Sequence, residues 1–156
     1  MLPEPTPANH FHPQHAALLI RSYRHWTGRD LLPPSPDPAL ALYEAPFVVL
    51  AHDTAPDPCF TYANLTAQRL FEMPWGKIVG LPSRYSAEAL ARAERERLLA
   101  RVAAHGFIDD YAGVRVAASG HRFQVRNATV WNLIGEAGEV VGQAACFSEW
   151  VPLGAA

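Results

Sequence analysis

Two spacings of apolar residues organise the chain. From Pro13 to Trp26, Ala17, Leu18, Ile20, Tyr23 and Trp26 recur at helical intervals, and Gly28 follows as a C-terminal stop, so a helix is predicted there. The next stretch, LLPPSPDP (31–38), holds four prolines, which lack backbone donors and fix φ; it reads as a linker. Strand-like runs follow. APFVVLAHD (45–53) and CFTYAN (59–64) are separated by turn residues and predict a β-hairpin. Asn64 is placed to cap a helix over LTAQRLFEM that Pro74 stops, and WGKIVGLP supplies a turn or a single helical turn.

A longer helix is predicted from a cap at Ser86 to Ala104, ended by Gly106. Leu90, Leu98, Leu99 and Val102 share one face. Glu88, Arg92, Glu94, Arg95, Glu96, Arg97 and Arg101 form a solvated remainder, with Glu88 and Arg92 in the favourable i, i+4 order. FIDDYAGVRVAA, HRFQVRNATVWNLI and EVVGQAACFSEW read as three strands joined by turns at Ser119-Gly120 and at Gly135 to Gly138. Strict alternation in the middle strand places Phe123, Val125, Thr129, Trp131 and Leu133 on one face and Arg122, Gln124 and Arg126 on the other. The order β-β, helices, β-β-β predicts an α+β fold: a five-stranded antiparallel sheet with helices on one face and an extra N-terminal helix.

Composition narrows the classes of function. With 156 residues, 49% apolar, the chain fits one domain and needs no metal or disulfide to fold. A formal charge of −2 and a pI of about 6.4 supply no cationic field for nucleic acid or an anionic membrane. Cys59 and Cys146 stand alone in apolar surroundings, with no Cys-x-x-Cys spacing, and read as small buried hydrophobes. MLPEPTPANHFHP has no basic start followed by an apolar core, so a reduced, cytoplasmic setting is expected. Residues 1–11 read as a loose tail.

The segment FTYANLTAQRLFEMPWGKIVGLP and the hairpin turns SGHRFQV and IGEAGEVVGQA resemble the PAS fold. A narrower resemblance is carried by SYRHWTGRDLL, LYEAPFVVLAHDTAPDPCFTYAN, RLFEMPW, LPSRYSAE, GFIDDYAGVRV and ATVWNLIGEAGEVVGQAACFSEW. Together these are similar to the MEKHLA domain, a PAS-related domain found at the C-terminus of plant homeodomain–leucine zipper proteins and as short stand-alone bacterial proteins. The likeness runs from about Leu18 to Trp150 and is to the stand-alone type. The tail, helix and Pro-rich linker thus take up 1–40 and the PAS-like domain 41–152; the resemblance implies a sensing or interaction role whose output comes from a partner. It supplies no established ligand and no catalytic residues.

Flavin-binding PAS domains that react with light carry a cysteine in the helical segment after the capping asparagine; here that segment after Asn64 holds none, and the nearest, Cys59, precedes it. Haem-binding ones use a histidine on the middle helix, and none lies between Asn64 and Ala104; His105, at the helix end, reads as a C-terminal charge partner. No cofactor is therefore expected, although an unidentified small molecule remains compatible with the fold. His10, His12, His15 and His25 lack zinc-site spacing, so no metal is expected. His52-Asp53 and Asp109-Asp110 are neighbours on strands, which turns each pair to opposite faces. No Gly-x-Ser-x-Gly, phosphate loop or His-Glu-x-x-His occurs, and no catalytic residue is assigned.

Polar residues inside apolar strands are the better candidates. Asn127, Thr129 and Gln143, with Trp131, Tyr62 and His52, are the expected lining of a ligand cavity, because a buried amide or hydroxyl needs a hydrogen-bond partner. The function expected is a non-enzymatic sensory, ligand-binding or protein-interaction module. The alternative is a small-molecule enzyme using a His52, Asp53 and Tyr62 cluster. A homodimer through the N-terminal helix and an unidentified protein partner are the expected associations, without nucleic acid or membrane.

Overall fold

The computed structural model describes residues 1–87 and 92–155, so Glu88 and Leu90 lie outside the described residues. The chain runs α1 (Pro13–Thr27), α2 (Pro38–Tyr43), β1 (Val48–His52), β2 (Phe60–Ala63), α3 (Leu65–Phe71) and α4 (Trp75–Ile78). After a 3-10 turn at Ser83–Ser86 come α5 (Arg92–His105), β3 (Phe107–Val116), β4 (His121–Ile134), β5 (Val140–Phe147) and β6 (Glu149–Ala155). Ser86 closes that turn, donating from Oγ to the Ser83 carbonyl at 2.7 Å, and does not cap α5. Gly106 ends α5 with φ +76, as its lack of a Cβ allows. Inside the stretch read as a linker, Asp37 caps α2, accepting from the Leu40 amide at 3.3 Å with Pro38 at the first helical position.

The sheet is antiparallel in the order β2-β1-β5-β4-β3. A sixth strand, β6, continues β5 past Ser148 and pairs with the first half of β4, as β5 pairs with the second half. Cross-strand registers set the two faces. Leu50, Ala145, Val130 and Ile108 stand in one row on the inner face; Ala51, Ala144, Trp131 and Phe107 stand in the next row, on the outer face.

The middle strand does not keep one alternation. Asn127 has φ +51, and the step from Tyr111 to Gly113 on β3 spans the longer step from Ala128 to Val125 on β4. This bulge brings Val125 and Ala128 to the same side, so Phe123 and Val125 join Val130 on the inner face while Thr129, Trp131 and Leu133 take the outer one. The alternation expected across Phe123 to Leu133 fails at that residue.

α1 covers the outer face. Ala16, Leu19, Ser22 and Tyr23 are its buried residues; of the stripe expected, Tyr23 is buried, Leu18, Ile20 and Trp26 pack part-buried against the core, and Ala17 is exposed. Tyr23 meets Trp131 edge-on at 5.1 Å, and Trp131 Nε1 donates to the Leu19 carbonyl at 3.3 Å. Trp26 Nε1 donates to Asn132 O at 2.9 Å, and Ser22 Oγ accepts from the Ile134 amide at 2.9 Å. The apolar side of α1 is thus turned to its own sheet, as expected of this helix.

The segment read as a loose tail also lies on the domain. Leu2 O accepts from the buried Trp75 indole at 3.0 Å, and Pro5 is buried. His10, Phe11 and His12 follow one another in the left-handed region, φ 53, 58 and 56, and His12 Nε2 lies 2.6 Å from Pro3 O. Among the described residues no helix is long and apolar enough to cross a membrane.

Candidate functional site

The inner face of the sheet is only partly filled. α3 packs on β1 and β2, and Phe71 meets Phe123 edge-on at 5.3 Å. α5 touches β3 and β4 through Val102 and Leu98, against Ile108 and Val130. Between α5, the 83–87 turn and the strands lies a cavity of about 580 Å³. Its floor is apolar: Leu50, Phe60, Val130, Ala145 and Phe147. Leu98 and Leu99 contribute from α5, and Tyr85 and Ala87 from the turn.

The polar groups lie towards the edges. At one end, His52 and Gln143 pair across the strands, and Gln143 Nε2 donates to Asn132 Oδ1 at 3.4 Å. At the other end stands Arg115, opposite Phe123 on β4 and bridged through its backbone to Ala87. Arg115 is half-buried; its guanidinium reaches Tyr111 Oη at 3.4 Å and Ser86 Oγ at 3.5 Å. Tyr111 lies over Gly113, where a Cβ would meet its hydroxyl at 2.5 Å. On a third side Arg84 Nε donates to both oxygens of Asp57, at 3.1 and 3.2 Å, so that carboxylate is already paired.

Of the residues expected to line a cavity, the fold brings His52 and Gln143 to this one. Tyr62 and Trp131 are fully buried on the outer face, Tyr62 against Trp75 at 5.5 Å and His15 at 5.5 Å. Burial pushes the Tyr62 hydroxyl far above its usual range, and it has no hydrogen-bond partner. Thr129 is buried beside Cys146, whose thiol burial pushes up to about 11, too high for a nucleophile at neutral pH. Asn127, at the bulge, is exposed, donates to Glu149 at 2.6 Å and lines a separate surface hollow of about 430 Å³.

The catalytic alternative is not assembled. His52 Nδ1 lies 2.8 Å from the Asp53 carbonyl, whereas the Asp53 carboxylate accepts from the Ala55 and Cys59 amides at 3.2 and 3.0 Å. Tyr62 stands behind the sheet. Among the described residues no group of three or more His, Cys, Asp or Glu could hold a metal ion. Neither cysteine lines the cavity.

Sequence reasoning missed Arg115, Tyr111, Ser86 and the Arg84–Asp57 pair. The signal available was Tyr111-x-Gly113-x-Arg115, a period-2 set with a glycine that leaves room for the ring.

Comparison with known proteins places the fold. The MEKHLA domain matches residues 13–152. The chain belongs to the MEKHLA family. Solved structures similar to this MEKHLA domain are PAS and Light-Oxygen-Voltage domains. A fungal LOV domain photoreceptor is 17% identical, TM-score 0.60, with 87% of this chain and 90% of that one covered. The PAS domain of a protein from Colwellia psychrerythraea is 14% identical, TM-score 0.58, covering 71% and 92%. An RNA-binding Light-Oxygen-Voltage receptor is 22% identical, TM-score 0.58; 79% of this chain is covered, but it spans only 37% of that protein. At these identities the likeness is one of fold. No curated protein matches the sequence.

Proposed function

We propose that this MEKHLA domain is a non-enzymatic sensory module that binds a small organic molecule in the inner-face cavity and acts through a protein partner in a reduced, cytoplasmic setting. The observation that carries this reading is the cavity itself: about 580 Å³, within the usual size of small-molecule sites, with an apolar floor and a few polar groups at its ends. The unassembled His52, Asp53 and Tyr62 set supports binding over catalysis. A light-driven cysteinyl adduct with flavin does not fit the site. Cys59 lies at the start of β2 with its thiol turned to the Asp57 carbonyl, and Cys146 is behind the sheet.

Native mass spectrometry of the full chain, purified from its own host, tests the proposal. A bound, colourless small molecule is expected, released on denaturation and lost in Ala145→Trp, which fills the cavity floor. Retention of the same mass by Ala145→Trp overturns the assignment to this cavity. So does a wild-type chain that carries no such mass and whose melting temperature does not move with a metabolite extract of the host.

A further inference from the structure

The two ends of the cavity differ in charge. Among the described residues its lining holds one carboxylate, Asp57, and two guanidinium groups, Arg84 and Arg115. Arg84 takes Asp57 through both oxygens. Arg115 is left with two hydroxyl oxygens at 3.4 and 3.5 Å, the long limit of a hydrogen bond, and with no carboxylate among the described residues. The nearest acids on its own strand are engaged elsewhere, Asp109 with Arg29 and Asp110 with Arg101. Among the described residues this half-buried guanidinium is held only by two long contacts, which leaves donors for a further partner, and its planar fork matches a carboxylate.

The neighbouring hydroxyls add direction. Ser86 Oγ gives its hydrogen to the Ser83 carbonyl, so towards Arg115 it can only accept. Tyr111 Oη accepts from Arg115 and keeps its own hydrogen for a ligand oxygen. From this end the apolar residues Val125, Val130, Ala145 and Leu50 lead away across the sheet. We propose that the ligand of this cavity is an amphiphilic carboxylate, its anionic head on Arg115 and Tyr111 and its hydrocarbon body along Leu50, Val130 and Ala145. This rests on the cavity-binding reading above.

Titration calorimetry with matched probes tests it: decanoate beside decanol, and phenylbutyrate beside phenylbutanol. Each acid is expected to bind the wild-type chain at least about tenfold more tightly than its alcohol, as for hydrogen bonds to a charged group. In Arg115→Gln the preference falls to about twofold or less while the alcohols bind as before; in Arg115→Lys, which keeps the charge but not the fork, it is intermediate. Equal binding of acid and alcohol by the wild type overturns the carboxylate assignment and leaves cavity binding standing, as does a preference that survives in Arg115→Gln. Binding of none of the four probes overturns both. Should Arg115→Gln not fold, the wild-type comparison and Arg115→Lys decide the matter.

Discussion

Asn64 uses every hydrogen-bonding position of its side chain while fully buried. Oδ1 accepts from the Val49 amide at 3.0 Å and the Ala67 amide at 3.1 Å, and Nδ2 donates to Leu42 O at 3.2 Å and Phe47 O at 2.8 Å. A helix cap alone contributes about 0.5–2 kcal/mol, but this residue also joins β1 to the end of α2. Asn64→Ala leaves several buried groups unpaired, so urea denaturation is expected to show a loss of about 3 kcal/mol or more. A loss of only a cap's worth would refute the wider role. His15 makes a second case. It is packed against Tyr62 with Nε2 unpartnered, and burial first, then the nearby His12, lowers its pKa to about 4. The unfolded chain takes up that proton below pH ~6.5, the folded one only near pH 4. Stability is therefore full above pH ~6.5 and falls as pH drops towards 4, by on the order of 2 kcal/mol after allowance for partial exposure. His15→Phe should flatten that slope in melts taken at pH 4.5 to 7.5, once the common drift of the carboxylates is subtracted; an unchanged slope would acquit His15.

Among the elements, those whose boundaries rest on local chemistry were legible in the sequence: α1 ends at Gly28, α3 begins after Asn64 and α5 ends at Gly106, as the caps indicated. Phase was harder. Tyr23 faces the sheet as expected, but Ala16 and Leu19, rather than Ala17 and Leu18, are the fully buried positions before it, because a stripe counted from apolar residues alone takes no account of what the helix docks on. The bulge at Asn127 was hidden for a similar reason. Alternation assumes an unbroken ladder, and nothing in RNAT marks where β4 changes partner from β6 to β5. That slip sent Thr129, Trp131 and Asn127 away from the cavity and left Arg115, on the neighbouring strand, unnoticed. Gly106 is the junction where element boundaries meet packing. Its φ is +76, and a Cβ there would lie 2.1 Å from Trp26 Cε3. Gly106→Ala should thus cost more than ~2 kcal/mol in chemical denaturation, above the roughly 1–2 kcal/mol of a left-handed φ alone. A loss within that strain figure would mean that the indole moves aside freely.

For the whole molecule, the two faces of the sheet have different work. The outer face is closed by α1, which carries Trp131 and Tyr62 out of contact with water. Light scattering at micromolar concentration is expected to report a monomer, and a chain beginning at Asp37 should aggregate as those aromatic rings become exposed. Should the full chain prove a dimer, the exposed apolar residues among those described, Val140, Val141, Val151 and Leu153 with Tyr85 and Leu99, are candidates for the contact. The inner face keeps its cavity, with α5 as one wall. Gly106 joins α5 to β3, and there the Trp26 ring occupies the space of the missing side chain. Were filling the cavity to shift α5, the surroundings of that indole would change with it. Trp26 emission is therefore expected to move on ligand addition, although the ring does not line the chamber.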